Sequence, residues 1–337
     1  MTTLARQVRL AARPVGLPRD STWHLTEEKL PALQDGEVLV RVTHISLDPA
    51  MRGWLNDARS YAPPVALGAV MRAIAVGTVA ESRHAAFAPG DAVMGMFGAT
   101  DHAVLPGERL QRIDLRRAPA PTWLGALGMP GMTAWFGLFD VAAAKPGETV
   151  LVSGAAGAVG SVAGQLARSH GCRVVGIAGG PEKTRWLTED LGFDAAVDYK
   201  AGDIHRALRA VLPDGLDVYF DNVGGEILDS ALRLLRLKAR VAICGGISAY
   251  NATEPVPGPA HYMSLLVNRA RMEGFLVSDY AARFPEATAD ILGRIEAGTL
   301  VAREHVVRGP LEAFNDTLLM LFSGANTGKL VLELTTA

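Results

Sequence analysis

The run Val150-Leu151-Val152-Ser153-Gly154-Ala155-Ala156-Gly157-Ala158-Val159-Gly160 carries an apolar strand straight into a glycine turn, followed by a helical pattern that reaches Gln165 and Arg168. Such a turn lets backbone N–H groups close on a pyrophosphate, and the start of the following helix adds partial positive charge. The run departs from G-x-G-x-x-G because Ala155 stands where the first glycine belongs, so a tight turn with close helix packing is the competing reading. A second strand ends about twenty residues later, where a nucleotide's ribose is read. An NAD site places Asp or Glu there; this chain has Ala178-Gly179-Gly180 and then Glu182, Lys183 and Arg185. Without a carboxylate there is no repulsion, and an ammonium attracts a 2′-phosphate. The pattern predicts NADP(H) over NAD(H), with Lys183 as the principal phosphate contact; a solvent-facing helix lysine is the alternative.

Elements must hold these residues in place. Strands are expected over 149–153, 173–177, 195–198, 216–221, 240–244 and 273–277, with helices between most of them. That alternation predicts an α/β fold with a doubly wound parallel sheet. Up to about residue 120 the pattern is short β runs at 38–42, 73–79 and 92–94, which reads as a β-rich domain of the kind that closes into a barrel. Pro119 and Pro121 mark a boundary, and a helix over 311–322 with a strand over 329–334 returns the tail to the first domain. The expected division is therefore 1–120, completed by about 310–337, and 121–309. Arg233, Arg236, Lys238 and Arg240 read as a solvated helix end.

Composition narrows the function further. The chain has 337 residues, 49% hydrophobic and 20% charged, enough to bury an ordinary core. Its 33 basic and 35 acidic residues give a net charge of −2, which argues against nucleic acid or an anionic membrane as partner. Two cysteines, Cys172 and Cys244, and a start over 1–9 without an apolar signal core point to the cytoplasm. On that reading Asn251-Ala252-Thr253 is a chance match to a glycosylation acceptor, and glycines interrupt the apolar stretch 149–167 as a membrane span.

Two hydride chemistries are excluded by residue type. A zinc alcohol dehydrogenase needs thiolate and imidazole ligands, and usually a four-cysteine lobe, which two cysteines cannot build. The Tyr-x-x-x-Lys pair of short-chain reductases is absent: Tyr199, Tyr250 and Tyr262 are followed four positions later by Asp203, Glu254 and Leu266. What remains is hydride delivery to an acceptor that is already electrophilic, such as the β-carbon of a conjugated enone or a quinone.

Five motifs in order are more specific. They are 128–134 (Gly-Met-Pro-Gly-Met-Thr-Ala), 155–161, 176–183, Asp221-Asn222-Val223-Gly224-Gly225 and Cys244-Gly245-Gly246-Ile247-Ser248-Ala249-Tyr250-Asn251. Together they resemble the zinc-free medium-chain reductases, and within them the prostaglandin and leukotriene reductases, plant alkenal double-bond reductases and bacterial curcumin reductases. The likeness runs from Leu47-Asp48-Pro49-Ala50-Met51-Arg52-Gly53 to Asn326-Thr327-Gly328-Lys329. It implies a GroES-like β domain and a Rossmann domain with the cofactor between them, a small unsaturated carbonyl substrate, and a homodimer. It also implies NADP contacts from Gly157, Ala158, Val159 and Gly160, from Lys183, Tyr199 and Asn222, and from Cys244, Gly245, Gly246, Ile247, Ser248, Ala249 and Tyr250. Phe275, Leu276, Val277 and Asn326 complete the set. Tyr199 follows the third strand, where its hydroxyl could reach a 2′-phosphate or it could be an edge aromatic. Asn222 suits a ribose or amide group, or plain turn chemistry. Cys244 reads as a small packing residue rather than a nucleophile.

Tyr250 is the candidate proton donor, a phenol in an irregular segment just after a strand. Many members of the resembled group place a tyrosine upstream of the sixth strand where this chain has Val267, which leaves Tyr262 or solvent as alternative proton sources. They also commonly have Tyr where Ala50 stands, so the pocket here is expected to be wider or to grip its substrate differently. Arg52 either orients a polar substrate group or pairs with Asp48 or Asp57. Tyr61, Met129 and Tyr262 are candidate pocket residues, with Trp54 and Trp135 nearby. The reading is an NADPH-dependent, metal-free reductase of conjugated double bonds. The alternatives are an NADPH quinone reductase and a nicotinamide-binding sensor without turnover.

Overall fold

The computed structural model describes residues 3–335, so Met1 and Thr2 of the expected leaderless start, and the last two residues of the tail, lie outside it. The chain divides into two compact units, Met1–Leu124 with Glu304–Ala337, and Gly125–Arg303.

The first unit begins with seven strands: β1 Leu4–Leu10, β2 Trp23–Lys29, β3 Glu37–Ser46, β4 Ala75–Ser82, β5 Ala92–Gly95, β6 His102–Pro106 and β7 Gln111–Arg112. Val38, Val40 and Val42 alternate along β3 and join one buried apolar cluster, with Arg41 exposed between the last two. Burying each contributes about 1.5–3 kcal/mol. β1 and β2 form an antiparallel pair.

The second unit contributes β8 Thr149–Val152, β9 Arg173–Ala178, β10 Ala195–Asp198, β11 Leu216–Asp221, β12 Leu235–Ile243 and β13 Arg271–Gly274. Their order across the sheet is β10-β9-β8-β11-β12-β13, all parallel. Strand order reverses between β8 and β11, the switch point of a doubly wound sheet. Val150, Leu151, Val152, Val174, Val175 and Val218 are fully buried without alternation, as strands covered on both faces must be. The stretch 149–167 is therefore strand, turn and helix, and among the described residues no helix is long and apolar enough to cross a membrane.

The tail returns to the first unit as β14 Glu304–Gly309 and β15 Lys329–Leu334, giving a seven-stranded sheet ordered β14-β15-β3-β4-β5-β7 with β6 also on β3. Phe314, at the start of the helix Phe314–Ser323, packs edge-on against Trp23 at 5.3 Å, and the Trp23 indole donates to Asn315 at 2.8 Å.

Two expectations need correction. Of the four cations expected at a helix end, Arg233 does cap the helix Gly225–Leu232, but Arg236, Lys238 and Arg240 lie on β12. Arg236 pairs with Asp217 at 3.0 Å, and Arg240 pairs with Glu148 at 2.6 Å while donating to the carbonyls of Ala142 and Ala143. The polar residues at the start of β12 hide its strand character. The sixth strand also ends early: β13 stops at Gly274 because its partner β12 ends opposite, at Ile243. Phe275 and Leu276 lie beyond the strand, and Val277 opens the 3-10 turn Val277–Arg283.

Candidate functional site

Five loops, grouped in four corners, leave the carboxyl ends of the strands in the second unit. The first leaves β8. Gly154 adopts φ +57°, Ala155 N–H donates to Ile177 O at 2.9 Å, and Gly157 caps the helix Ala158–Ser169. A Cβ on Gly160 would lie 2.4 Å from Gly154 O and 2.8 Å from Ala155 Cα, so no larger residue lets this helix pack on the turn. Ala158, Val159 and Gly160 form the helix's first turn, where amides have no intrahelical acceptor. Close packing and an amide-rich anion seat are thus properties of the same turn.

The second corner joins the ends of β9 and β10. Asp198 Oδ1 accepts from Gly180 N–H at 2.8 Å and Lys200 N–H at 2.9 Å, which holds the two loops side by side. Lys183 lies on the short helix Pro181–Arg185 and is half-buried. Burial first, and then the charge of Lys200, pull its ammonium below the usual lysine range, with Glu182 opposing. Tyr199 is exposed, with the Lys200 ammonium 5.9 Å from its ring centre. Two neighbouring ammonium groups repel, and an anion bound there would relieve the repulsion. No reading of the second turn alone reveals Lys200, which enters from after the third strand.

The third corner holds the predicted Asn222, but the buried network beneath it was not foreseen in the sequence. Asp221 ends β11 fully buried, and its Oδ1 accepts from Ser153 Oγ at 2.9 Å, Tyr219 OH at 2.7 Å, and the N–H groups of Val223 and Gly224 at 3.0 Å each. Ser153 Oγ accepts from Asn222 N–H at 2.8 Å, and the Asn222 amide donates to Ser153 O at 2.7 Å. This network bolts β8 to β11 across the switch point. Burial and the adjacent Asp221 charge raise the Tyr219 hydroxyl well above the usual tyrosine range, so it remains a donor. The available signal was a polar residue ending each of two apolar strands.

The fourth corner, the loop after β12, rests on the third. Cys244 and Gly245 N–H donate to Asp221 O at 2.8 and 3.1 Å, Ile247 N–H to Asn222 O at 3.3 Å, and Ser248 Oγ to Val223 O at 2.6 Å. Ala249 N–H closes the turn on Gly246 O at 2.9 Å. Tyr250 folds back so that its hydroxyl accepts from Gly246 N–H at 3.2 Å. Burial and Asp221 push the Cys244 thiol up to about 12, which suits packing and not nucleophilic attack.

The other predicted residues are less closely grouped. Phe275 stands edge-on to Phe220 at 6.4 Å and packs on Gly137, where a Cβ would come within 2.5 Å of its ring. Leu276 is exposed and Val277 half-buried. Met129 opens the helix Met129–Phe136, which carries Trp135, and Tyr262 precedes the helix Met263–Val267 on an exposed apolar face. The remaining candidates belong to the first unit. Arg52 is buried, donating to Gly16 O at 2.9 Å, Asn56 Oδ1 at 2.6 Å and Pro14 O at 3.3 Å. Asp48 takes the buried Lys329 ammonium at 2.7 Å, and Asp57 is approached by Arg13 at 4.0 Å. Tyr61 is exposed and its hydroxyl accepts from Trp54 Nε1 at 3.1 Å. The Asn326 amide donates to Gly328 O at 3.0 Å.

Comparison with known proteins agrees with this architecture. Residues 6–113 match the family described as N-terminal domain of oxidoreductase, and residues 158–293 match the one described as Zinc-binding dehydrogenase. Among the described residues, no three His, Cys, Asp or Glu side chains gather as a metal-ligand set. The chain belongs to the medium-chain dehydrogenase/reductases, in their zinc-free group of curcumin, prostaglandin and 2-alkenal reductases. It is 41% identical to the NADPH-dependent curcumin reductase of Escherichia coli (strain K12), over 96% of this chain and 95% of that one. It is 40% identical to the 2-alkenal reductase (NADP(+)-dependent) of Nicotiana tabacum, over 97% and 96%. The crystal structure of CurA in complex with NADPH from Vibrio vulnificus superposes with a TM-score of 0.93 at 41% identity, covering 98% of this chain and 100% of that one.

Proposed function

We propose that this NADP-dependent oxidoreductase reduces the α,β carbon–carbon double bond of conjugated ketones and aldehydes without a metal ion. The observation that carries the cofactor part of the reading is the corner at the ends of β9 and β10, where glycines replace the acidic residue of an NAD site and the charge of Lys200 acts on Lys183. The names of the relatives, curcumin reductase and 2-alkenal reductase, support the substrate class. When bound, NADPH supplies the hydride.

The chain's residues do the rest. The first-turn amides of Ala158, Val159 and Gly160, after Gly157, hold the pyrophosphate. Lys183 and Tyr199 take the 2′-phosphate, and Asn222 with the backbone from Cys244 to Tyr250 seats the ribose and amide. Phe275, Leu276 and Val277 offer an apolar face to the ring, and Asn326 completes the contacts. Arg52, Tyr61, Met129 and Tyr262 are the proposed substrate residues. Arg52 acts by fixing the 47–56 segment, given its bonds to Gly16, Pro14 and Asn56. After hydride reaches the β-carbon, negative charge collects on the carbonyl oxygen and α-carbon. Tyr250 donates the proton, its oxygen already polarised by the Gly246 N–H. A homodimer is the proposed assembly, supported by the exposed Met263, Leu266 and Val267 on the helix that leads into the edge strand β13. The cytoplasm is the proposed compartment, in keeping with the two unpaired cysteines.

The test is NADPH oxidation with an enone and with a quinone, each product identified by mass. A saturated ketone supports the proposal. A hydroquinone alone makes the chain a quinone reductase, and tight NADPH binding with no oxidation across a broad acceptor panel makes it a sensor.

A further inference from the structure

We infer that Lys200 is a second cation for the nucleotide's 2′-phosphate and that Gly179 is the residue whose missing side chain seats it, so cofactor selectivity rests on a coupled pair contributed by two strands. The inference rests on the NADP reading above and goes beyond it in assigning roles to two residues of the corner.

Strand register sets the arrangement. β9 and β10 pair from Val175 opposite Ala195 to Ala178 opposite Asp198, so they end level and deliver residues 179–180 and 199–200 to the same place. The Asp198 carboxylate is engaged by the amides of Gly180 and Lys200, fixing where the Lys200 side chain starts. The two glycines of the turn then serve different purposes. Gly180 has φ +95° and open space around a built Cβ, so its requirement is conformational. Gly179 has no such φ, but its Cβ would come within 2.9 Å of Lys200 Cε, 2.9 Å of Tyr199 Cε1 and 3.1 Å of Tyr199 Cζ. Its requirement is space for those two side chains. With the space open, the Lys200 ammonium lies 5.9 Å from the Tyr199 ring, and its charge is felt at Lys183.

A residue at 179 would therefore act twice on selectivity. A carboxylate there would repel the phosphate, and any side chain at all would displace Lys200. This second effect separates the inference from a simple charge argument, because alanine carries no charge yet has the offending Cβ.

The experiment measures dissociation constants of the full-length protein by calorimetry for adenosine 2′,5′-bisphosphate and for 5′-AMP, two probes that differ only in the 2′-phosphate. Lys200→Met is expected to weaken the bisphosphate about tenfold or more, the worth of one charge-assisted contact, and to leave 5′-AMP within about twofold. Lys200→Arg retains most of the affinity. Gly179→Ala produces a loss like that of Lys200→Met, and the double variant loses little more than either single one, because both remove the same contact. Lys200 is exposed, so its variants leave the fold in place. Unchanged bisphosphate affinity in Lys200→Met, or losses that add in the double variant, would overturn the inference while the NADP reading stands. Equal affinity of the unmodified protein for both probes would overturn the NADP reading itself, and the inference with it.

Discussion

Asp221→Asn tests whether the buried network at the switch point holds the nucleotide face together. The carboxylate's Oδ1 serves four donors, from Ser153, Tyr219, Val223 and Gly224, while among the described residues Oδ2 is buried with no hydrogen-bond partner. An asparagine cannot satisfy this geometry in either orientation. With its oxygen toward the four donors, its NH2 fills the buried Oδ2 position, where no protein acceptor stands, at a cost of about 1–3 kcal/mol for an unmade buried donor. With the NH2 turned inward, it faces donors. Four charge-assisted bonds also become neutral and weaker, partly offset by no longer burying a charge. The net expectation is about 2–4 kcal/mol, a fall in Tm of roughly 4–16 °C for a unit of this size. Because the amides of Cys244 and Gly245 rest on the same residue's carbonyl, NADPH affinity should fall together with Tm. Removing the Asp221 charge also lowers the Cys244 thiol from its raised value, which pH-dependent alkylation reads directly. Differential scanning fluorimetry with and without NADPH, followed by NADPH titration, makes the measurement. An Asp221→Asn protein with unchanged Tm and unchanged NADPH affinity would refute the reasoning.

Lys183→Ala should raise the KM for NADPH at least about tenfold and leave that for NADH unchanged, and equal use of both cofactors by the parent would contradict the assignment. Because burial and Lys200 pull the Lys183 ammonium down, NADPH affinity should decline with rising pH before the ordinary lysine range is reached, and Lys183→Ala should flatten that limb. Tyr250→Phe should lower turnover on enones about a hundredfold with little change in NADPH affinity; full turnover would leave Tyr250 no acid role. Burial alone would raise the Glu148 carboxyl, but hydrogen bonds from Arg240 and the Lys145 amide outweigh it and hold the folded-state value below normal. Its stabilisation is therefore present above the unfolded-state value and lost as pH falls through the folded one. Glu148→Gln should cost about 1–3 kcal/mol at neutral pH and progressively less in acid, measured by urea denaturation across pH.

Much of the second unit's sheet was legible because its strands are apolar runs bounded by turn residues: 195–198, 216–221 and, in the first unit, 329–334 fall where the pattern puts them. The start of β12 was not legible, because Arg236, Leu237 and Lys238 are exposed and give no burial signal. Where β13 ends depends on a partner strand, which local pattern cannot reveal. In the site, glycine spacing exposed the turn after β8, and a missing acid exposed the turn after β9. Lys200 beside Lys183, and Ser153 against Asp221, are pairs made by sheet register between residues far apart in sequence. Gly179 shows the same limit: the sequence reports an absent carboxylate, but only its distances to Tyr199 and Lys200 show that even a methyl group there would make those side chains shift.

The central claim is hydride delivery from NADPH to the β-carbon of an enone, and NADPH carrying deuterium at the transferable position tests it most directly. The account predicts a saturated ketone with one deuterium at the β-carbon, unaffected by prior treatment of the enzyme with a chelator. Deuterium at the carbonyl carbon of an allylic alcohol, or turnover that a chelator abolishes and added metal restores, would contradict it.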